Sequence, residues 1–304
     1  MPELPEVETI KSGLEKTIVG KKIAEVEVRR PKIVSIGPQV VSNIRKTTKK
    51  TAQMFRRLLV RRKITSVKRR AKMLIIDLSG PLTILVHLKM TGQLIFVKKG
   101  EEKSVKIMNL PNARREVLPH SHTHVIFHFT DGSRLYYNDM RQFGYVRLVR
   151  DRDLGQIKEL ISFGPEPLSK DFQLDSLMVK AIRRPGLSIK QFLMDPTVVA
   201  GIGNIYSDEI LFWAKLRPAR RLRSLSKDEF KAILKSIPQV LKGALRAGGS
   251  SVGDFFKVDG SEGVYGKKHM VYGRHGWRCK KCGTVIKSVK LGGRTGSYCP
   301  KCQQ

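Results

Sequence analysis

The first residues of the chain include groups that could perform covalent chemistry on a sugar. Pro2 becomes the terminal residue once an aminopeptidase removes Met1. A terminal amine has a lower pKa than a lysine side chain, so part of it is unprotonated at neutral pH and can attack a sugar C1′ to form an iminium. Glu3 and Glu6 follow, and a carboxylic acid here could protonate the ring oxygen. Acidic residues also complement a helix dipole, so the residues alone leave both interpretations open.

The cysteines form the second chemical pattern. All four lie near the end of the chain as two CxxC pairs, Cys279, Cys282, Cys299 and Cys302. This spacing predicts a tetrahedral zinc ribbon in which four thiolates leave no position for water, so the zinc is structural. A chain without cysteine before this point has no disulfide framework, which indicates a reducing compartment, the cytoplasm.

The composition indicates the class of partner. Lysine and arginine number 59 against 26 acidic residues, a formal net charge of +33. Such a chain attracts a polyanion in a salt-sensitive way. No apolar run reaches the roughly 20 residues of a membrane span, and the acidic start is unlike a signal peptide. The sequence therefore predicts a cytoplasmic protein that binds nucleic acid and no membrane.

The elements that must position these groups begin with a helix over 5–18, where apolar residues follow helical spacing between Pro5 and Gly20. Asp131-Gly132 predicts a hairpin turn. This turn lies between two of the strand-like runs, which are at 22–28, 73–78, 82–88, 124–129, 134–137 and 145–149. A first domain over 1–150 is therefore expected to be one helix with an antiparallel two-layer β-sandwich. The basic stretch 45–63 is a surface helix or a strand pair, and 97–120 is expected to be a mobile loop.

The second half has a helical pattern. A linker over 151–168 precedes a helical domain over 169–268 and the zinc ribbon over 269–304. The best helical segments are 187–194, 205–213 and 228–245, and Pro238 should kink the last or begin a second piece. The fold class is therefore α+β with several domains.

The N-terminal residues Pro2 to Thr9 match the signature of the formamidopyrimidine-DNA glycosylases residue for residue. This resemblance implies that Pro2 is the nucleophile and Glu3 the acid that helps open the sugar ring. Arg69-Arg70-Ala71-Lys72 resembles the family motif whose lysine, here Lys72, grips a phosphate beside the lesion. Met73 departs from the aromatic residue usual in the family.

Two further motifs resemble the residues with which the family fills the gap left by a flipped base. The sequence from His87 to Gly92 implies that Met90 enters the gap. The sequence from Asp139 to Gly144 implies that Arg141 pairs with the orphaned cytosine and that Phe143 wedges the stack. Gln142 departs from the second arginine of many relatives.

The segment Pro196–Tyr206 resembles the family's helix–two-turn–helix element. Asn204 could cap the next helix and leave N–H groups facing an anion. The resemblance implies that Lys190 and Asn204 hold phosphates, whereas Ser207-Asp208-Glu209 are interpreted as capping. Arg294, in the ribbon hairpin, would reach the phosphate opposite the scissile sugar. The segment 252–268 corresponds to the loop that covers 8-oxoguanine, although Gly253 replaces a frequent basic residue.

The resemblance as a whole implies a monomeric bifunctional glycosylase and AP lyase that binds double-stranded DNA carrying a damaged base and one structural Zn²⁺. DNA is expected in the cleft between the sandwich and the helical half. Two alternatives stay open at this point. An endonuclease VIII-like enzyme would prefer oxidised pyrimidines, and a relative without catalysis would only bind DNA.

Overall fold

The computed structural model describes residues 1–38, 48–107 and 114–304. The chain divides into two compact units. The first unit contains Met1–Ile161 and Gly248–Val264, and the second contains Ser162–Ala247 and Tyr265–Gln304. Each unit has its own hydrophobic core.

The first helix begins as the sequence predicts. Helix α1 covers Leu4–Ile18, with a proline in its first turn and Glu3 as its extended N-cap residue. Its buried face carries Val7, Ile10 and Leu14 into the sandwich core. Because these apolar residues repeat at helical spacing, packing holds the chain's N-terminus against the sandwich.

Two sheets form the sandwich of the first unit. The four-stranded sheet has the order β1-β9-β10-β6 and the five-stranded sheet the order β2-β11-β5-β4-β3. The strands are β1 (Ile23–Val28), β2 (Val34–Ile36), β3 (Ile64–Arg70), β4 (Met73–Leu78), β5 (Leu82–His87), β6 (Gly92–Val97), β9 (Thr123–Phe129), β10 (Arg134–Asp139) and β11 (Tyr145–Arg150). Among the described residues, the strand pairs of these two sheets are antiparallel except β2 with β11, which is parallel. The sandwich is confirmed, and one of its pairs corrects the expectation of a purely antiparallel arrangement.

The two basic stretches differ from each other. Helix α2 covers Lys49–Leu59 and buries Ala52, Phe55 and Leu59. Of the two alternatives for 45–63, a surface helix or a strand pair, the structure therefore shows the helix. Positions 45–47 lie outside the described residues. The expected loop 97–120 contains a small antiparallel sheet instead, β7 (Ser104–Lys106) with β8 (Arg115–Val117). Val105 is buried against the four-stranded sheet, so this apolar residue orders a segment that its composition predicted to be mobile. Positions 108–113 lie outside the described residues.

The predicted linker over 151–168 starts later than expected. A 3-10 helix (Asp151–Gln156) and a short helix α3 (Lys158–Ile161) pack on the first unit. Ile157 is fully buried beside Leu85 and Tyr145. The apolar contact of this one residue extends the first unit to Ile161.

The segment 248–264 was expected in the helical domain and belongs to the first unit instead. Phe255 and Val258 are buried in the sandwich core. The Phe96 N–H donates to the Val258 carbonyl at 2.9 Å. The segment packs on the first unit, although it follows the helices in the sequence, because burying these two apolar side chains in the sandwich core is stabilising.

The second unit is built on helices α4 (Leu174–Ile182), α5 (Ile189–Met194), α6 (Asn204–Trp213) and α7 (Lys227–Arg246). Helix α7 continues through Pro238, so no second piece begins there. The zinc module follows with the hairpin of β12 (Lys287–Leu291) and β13 (Arg294–Tyr298). Within the described ranges, no helix has both the length and the apolar character needed to cross a membrane.

Candidate functional site

The start of α1 lies in a polar arrangement built by Glu6. Pro2 and Glu3 are buried, and Met1 is 45% exposed. The Glu6 carboxylate accepts the Glu3 N–H at 2.9 Å and the Ser250 N–H at 2.8 Å. It therefore fixes the stub that carries Pro2 to the segment beginning at Gly248. The sequence identified Glu6 only as a nearby acid, because its partner at 250 is distant along the chain.

Gly249 makes this contact possible. Its φ of +83° lies in the left-handed region that favours glycine. A Cβ at this position would lie 2.9 Å from the Phe255 ring and 3.1 Å from Glu6 Oε1. A side chain would push the Ser250 amide away from the carboxylate.

Met90, Arg141 and Phe143 form one cluster on two turns. Arg141 Nη1 lies 3.1 Å from Met90 Sδ, and its guanidinium carbon lies 4.7 Å from the centroid of the Phe143 ring. Phe143 is 41% exposed. An exposed aromatic ring beside an exposed arginine can stack on a base and contact the polar edge of its partner. The structure thus brings together the three residues that the sequence motifs singled out.

Asp139 and Thr91 hold these two turns together. The buried Asp139 carboxylate accepts the Thr91 hydroxyl and, at 2.7 Å, the Gly144 N–H. The same hydroxyl accepts the Arg141 N–H at 3.0 Å. Thr91 and Asp139 lie within the two sequence motifs. The sequence did not predict their positioning role, because a motif does not show which side chains contact each other.

Lys72 lies at the same end of its sheet as the two turns. In the ladder Met73 pairs with His87, and His87 pairs with Tyr145. The turn before Met73, the turn after His87 and the turn before Tyr145 must therefore share one end of the sheet. Lys72 is half-buried. Burial first, and then the positive charges of Lys89 and Lys72, lower the pKa of His87 to about 3.

In the second unit Lys190 departs from its expected role. Its side chain is fully buried, and Nζ lies 2.6 Å from Asp208 Oδ1 and 3.1 Å from the carbonyl oxygen of Asn204. A lysine with no exposed surface and a buried carboxylate partner does not present its charge to a phosphate. Instead it holds the first turn of α6.

Asn204 is the first residue of α6, and Gly203 is the N-cap residue. The expected capping by the Asn204 side chain is therefore absent from this described helix. Asn204 is half-buried, and its Oδ1 has no hydrogen-bond partner within the described part of the chain. Its side chain lies at the N-terminal end of α6.

Asp208 and Glu209 do not cap α6, because both are fully buried within it. Asp208 Oδ2 accepts the Ser297 N–H at 2.9 Å. The Glu209 carboxylate accepts three successive N–H groups, those of Met270, Val271 and Tyr272, at 2.9–3.1 Å. These two carboxylates fasten the zinc module to the helices. No local signal distinguishes them from capping residues.

The four cysteines fit one zinc ion. Their sulfur atoms all lie within 4.8 Å of one another. A tetrahedral site with Zn–S bonds of about 2.3 Å places sulfurs about 3.8 Å apart, and Cys279–Cys302 and Cys282–Cys299 are 4.0 and 3.5 Å apart. The site is closed by four thiolates and is structural, which confirms the prediction.

Arg294 follows the tight turn Gly292-Gly293, whose φ values of +53° and +75° suit a two-residue hairpin. It pairs across the ladder with Leu291 and is exposed. Its guanidinium is thus presented at the tip of the ribbon.

Comparison with known proteins identifies the class. The description "Formamidopyrimidine-DNA glycosylase N-terminal domain" matches residues 1–146, "Formamidopyrimidine-DNA glycosylase H2TH domain" matches 163–255, and "Zinc finger found in FPG and IleRS" matches 276–304. The chain belongs to the formamidopyrimidine-DNA glycosylase family. It is a DNA glycosylase of base excision repair, in a family that typically also has AP lyase activity.

Relatives match over the full chain. The formamidopyrimidine-DNA glycosylases of Listeria monocytogenes and Carboxydothermus hydrogenoformans are 37% and 38% identical, with 100% of each chain covered. The structure of Lactococcus lactis Fpg with abasic-site DNA has a TM-score of 0.82 at 31% identity and covers 99% of both chains. A Lactococcus lactis Fpg mutant bound to Fapy-dG DNA has a TM-score of 0.82 at 31% identity, with 100% of each chain covered.

Proposed function

We propose that this enzyme removes 8-oxoguanine and formamidopyrimidines from duplex DNA through an iminium at Pro2. The observation that carries the proposal is the fixed N-terminal stub, in which Glu6 binds the backbone of Glu3 and of Ser250. A nucleophile on a stub held from two sides is positioned before substrate binds, which lowers the entropic cost of attack.

The chemical steps follow from these residues. After Met1 is removed, the Pro2 nitrogen attacks C1′, and the bond from C1′ to the base breaks with its electrons leaving on the purine, which takes up a proton. Glu3 protonates the ring oxygen as the C1′–O4′ bond opens and leaves the iminium. Loss of a 2′-proton then expels the 3′-phosphate, and a second elimination expels the 5′-phosphate.

The cluster of Met90, Arg141 and Phe143 fills the space left by the flipped nucleotide in this proposal. The exposure of the Phe143 ring and of Arg141 supports this role. Lys72 and Arg294 would neutralise phosphates, Lys72 from the end of the sheet and Arg294 from the ribbon tip.

The phosphate contact of the second unit is proposed for Asn204 without Lys190. Asn204 stands at the N-terminal end of α6, where the positive end of the helix dipole suits an anion. Lys190 stabilises that helix start from within through Asp208.

The preference for oxidised purines rests on two supports. Relatives at 37–38% identity are named formamidopyrimidine-DNA glycosylases, and the segment 248–264 is ordered on the unit that carries Pro2. An oxidised-pyrimidine complex of the Lactococcus lactis enzyme, at 32% identity, keeps a broader substrate range as the second candidate.

Borohydride trapping on a duplex with 8-oxoguanine opposite cytosine tests the proposal. The wild type is expected to give a covalent adduct on Pro2, whereas Pro2→Gly and Glu3→Gln lose most of it. Mass spectrometry of the purified protein checks that Met1 is absent. Zinc-loaded protein that lacks Met1 and yet forms no adduct would contradict the mechanism, and a duplex with an oxidised pyrimidine would then test the second candidate.

The proposal also includes a monomer acting in the cytoplasm. Four zinc-binding thiolates are compatible with a reducing compartment, and family members are enzymes of bacteria. Sedimentation of the free protein is expected to give the mass of one chain, and a stable dimer would contradict this part.

A further inference from the structure

A group of exposed cations lies on the first unit away from the residues discussed so far. It consists of Lys22, Arg57, Arg61 and Lys63, called here the basic edge. Arg57 projects from the solvent face of α2, opposite the buried face formed by Phe55 and Leu59. The other three lie where the chain leaves α2 and meets the start of β1.

Two of these lysines face each other directly. Lys22 and Lys63 form an isolated antiparallel bridge, and directly opposed residues place their side chains on the same side. Like charges in such a pair destabilise the fold. The Arg61 N–H donates to the Ile23 carbonyl at 2.8 Å and brings a third cation to the same place.

Acidic groups nearby are already paired. Asp131 forms an ion pair with Lys21, and Glu25 lies 3.8 Å from Arg56. Within the described ranges, no carboxylate oxygen lies within 4 Å of the four side chains of the basic edge. The edge therefore carries uncompensated positive charge that the fold itself does not use.

The position of the edge separates it from the turns that carry Lys72, Met90 and Arg141. Strand β3 starts at Ile64, next to Lys63, and ends at Arg70, next to Lys72. Seven residues of strand extend about 20 Å. A lysine or arginine side chain does not reach that far, so the edge and Lys72 cannot bind the same phosphate.

We propose that the basic edge binds the phosphate backbone of a second segment of duplex DNA while the end of the sheet that carries Lys72 holds the first segment. Charge complementarity favours a polyanion, and duplex DNA is the polyanion on which this enzyme acts. Two attachment points on one protein let it pass from one DNA segment to another without full release.

The size of the effect follows from counterion release. Each phosphate contact contributes about 0.9 to the slope of log K against log salt. Four contacts amount to a slope of about 3.6, which corresponds to about 150-fold in affinity between 50 and 200 mM salt.

The test compares wild type with a variant carrying Lys22→Gln, Arg57→Gln, Arg61→Gln and Lys63→Gln. A matched control removes the same charge from the exposed side of α7, through Lys227→Gln, Lys235→Gln, Lys242→Gln and Arg246→Gln. Each protein is loaded with one equivalent of an unlabelled duplex containing tetrahydrofuran, and a labelled undamaged duplex of 20 base pairs is then titrated at several salt concentrations. Single-turnover excision at saturating enzyme is measured in parallel.

The wild type and the α7 control are expected to bind the second duplex with a steep salt slope. The basic-edge variant is expected to bind it at least 10-fold more weakly and with a flatter slope, at an unchanged excision rate. Equal losses in both variants would reduce the effect to net charge and overturn the proposal. A slower excision rate in the basic-edge variant would place the edge in the first DNA site and overturn it as well.

Discussion

Thr91 is expected to connect the two turns that carry Met90, Arg141 and Phe143, the residues proposed to fill the gap left by a flipped base. In Thr91→Val the hydroxyl that donates to Asp139 and accepts the Arg141 N–H is lost. The Asp139 carboxylate is fully buried and Thr91 is 2% exposed, so water does not easily replace the missing partner. The turn of Arg141 and Phe143 then loses its connection to the turn of Met90.

The magnitude follows from the two groups left without a partner. A buried acceptor or donor that loses its hydrogen bond costs about 1–3 kcal/mol. With Arg141 exposed and its N–H partly buried, we expect a loss of about 2–4 kcal/mol in the free energy of unfolding. If about 1.4–2.8 kcal/mol of this loss also raises the free energy of the complex with the flipped base, excision of 8-oxoguanine slows about 10- to 100-fold.

The assay compares two substrates. Excision of 8-oxoguanine requires the base to be flipped, whereas strand cleavage at a preformed abasic site does not require that base to leave the stack. Thr91→Val is therefore expected to lower excision more than lyase activity. Thr91→Ser keeps the hydroxyl and should behave as wild type, and Thr83→Val removes a buried hydroxyl bonded to Asp151 at 2.8 Å in the same sandwich. Equal losses in excision and lyase activity, or a serine variant as impaired as the valine variant, would refute the positioning role.

Three further perturbations have defined outcomes. Cys299→Ser, or removal of zinc by a chelator, is expected to unfold the ribbon and weaken duplex binding, measured by metal content and by anisotropy; unchanged binding by metal-free protein would contradict this. Glu209→Ala removes the acceptor of three N–H groups, one buried and two partly buried, so limited proteolysis should cut before the ribbon and the free energy of unfolding should fall by about 2–4 kcal/mol. A variant that resists proteolysis as the wild type does would contradict the role of Glu209 as an anchor. The pKa of His87 is lowered from 6.5 to about 3, so as the pH falls the unfolded chain takes up this proton at a higher pH than the folded chain, and stability falls below about pH 6.5. His87→Asn keeps an acceptor for the Lys89 N–H and should weaken this pH dependence, measured by denaturation at pH 7 and pH 5.

Local patterns predicted the parts whose contacts are local. The spacing of Val7, Ile10 and Leu14 predicted α1, and the two CxxC pairs predicted the zinc site with all its ligands. The sandwich followed from short apolar strands separated by turns. Strand β2, with only three residues, is too short for such a pattern to reveal.

Contacts between distant residues explain the predictions that the structure corrects. Lys190 was expected to hold a phosphate, but its carboxylate partner Asp208 comes 18 residues later. The segment 248–264 follows the helices in sequence, yet Phe255 and Val258 pack into a core formed by the first half of the chain. Neither pairing has a signature within a window of neighbouring residues.

The bond between Glu6 and Ser250 has a consequence for the order of synthesis. The ribosome adds Pro2 directly after Met1, and the amide that completes the support of its stub appears almost 250 residues later. During most of translation the chain's N-terminus is therefore unsupported, and in the proposed mechanism the aminopeptidase removes Met1 in this period. Folding then buries Pro2, so in the proposed mechanism the nucleophile is freed while the chain is incomplete and becomes organised only when the chain is nearly finished.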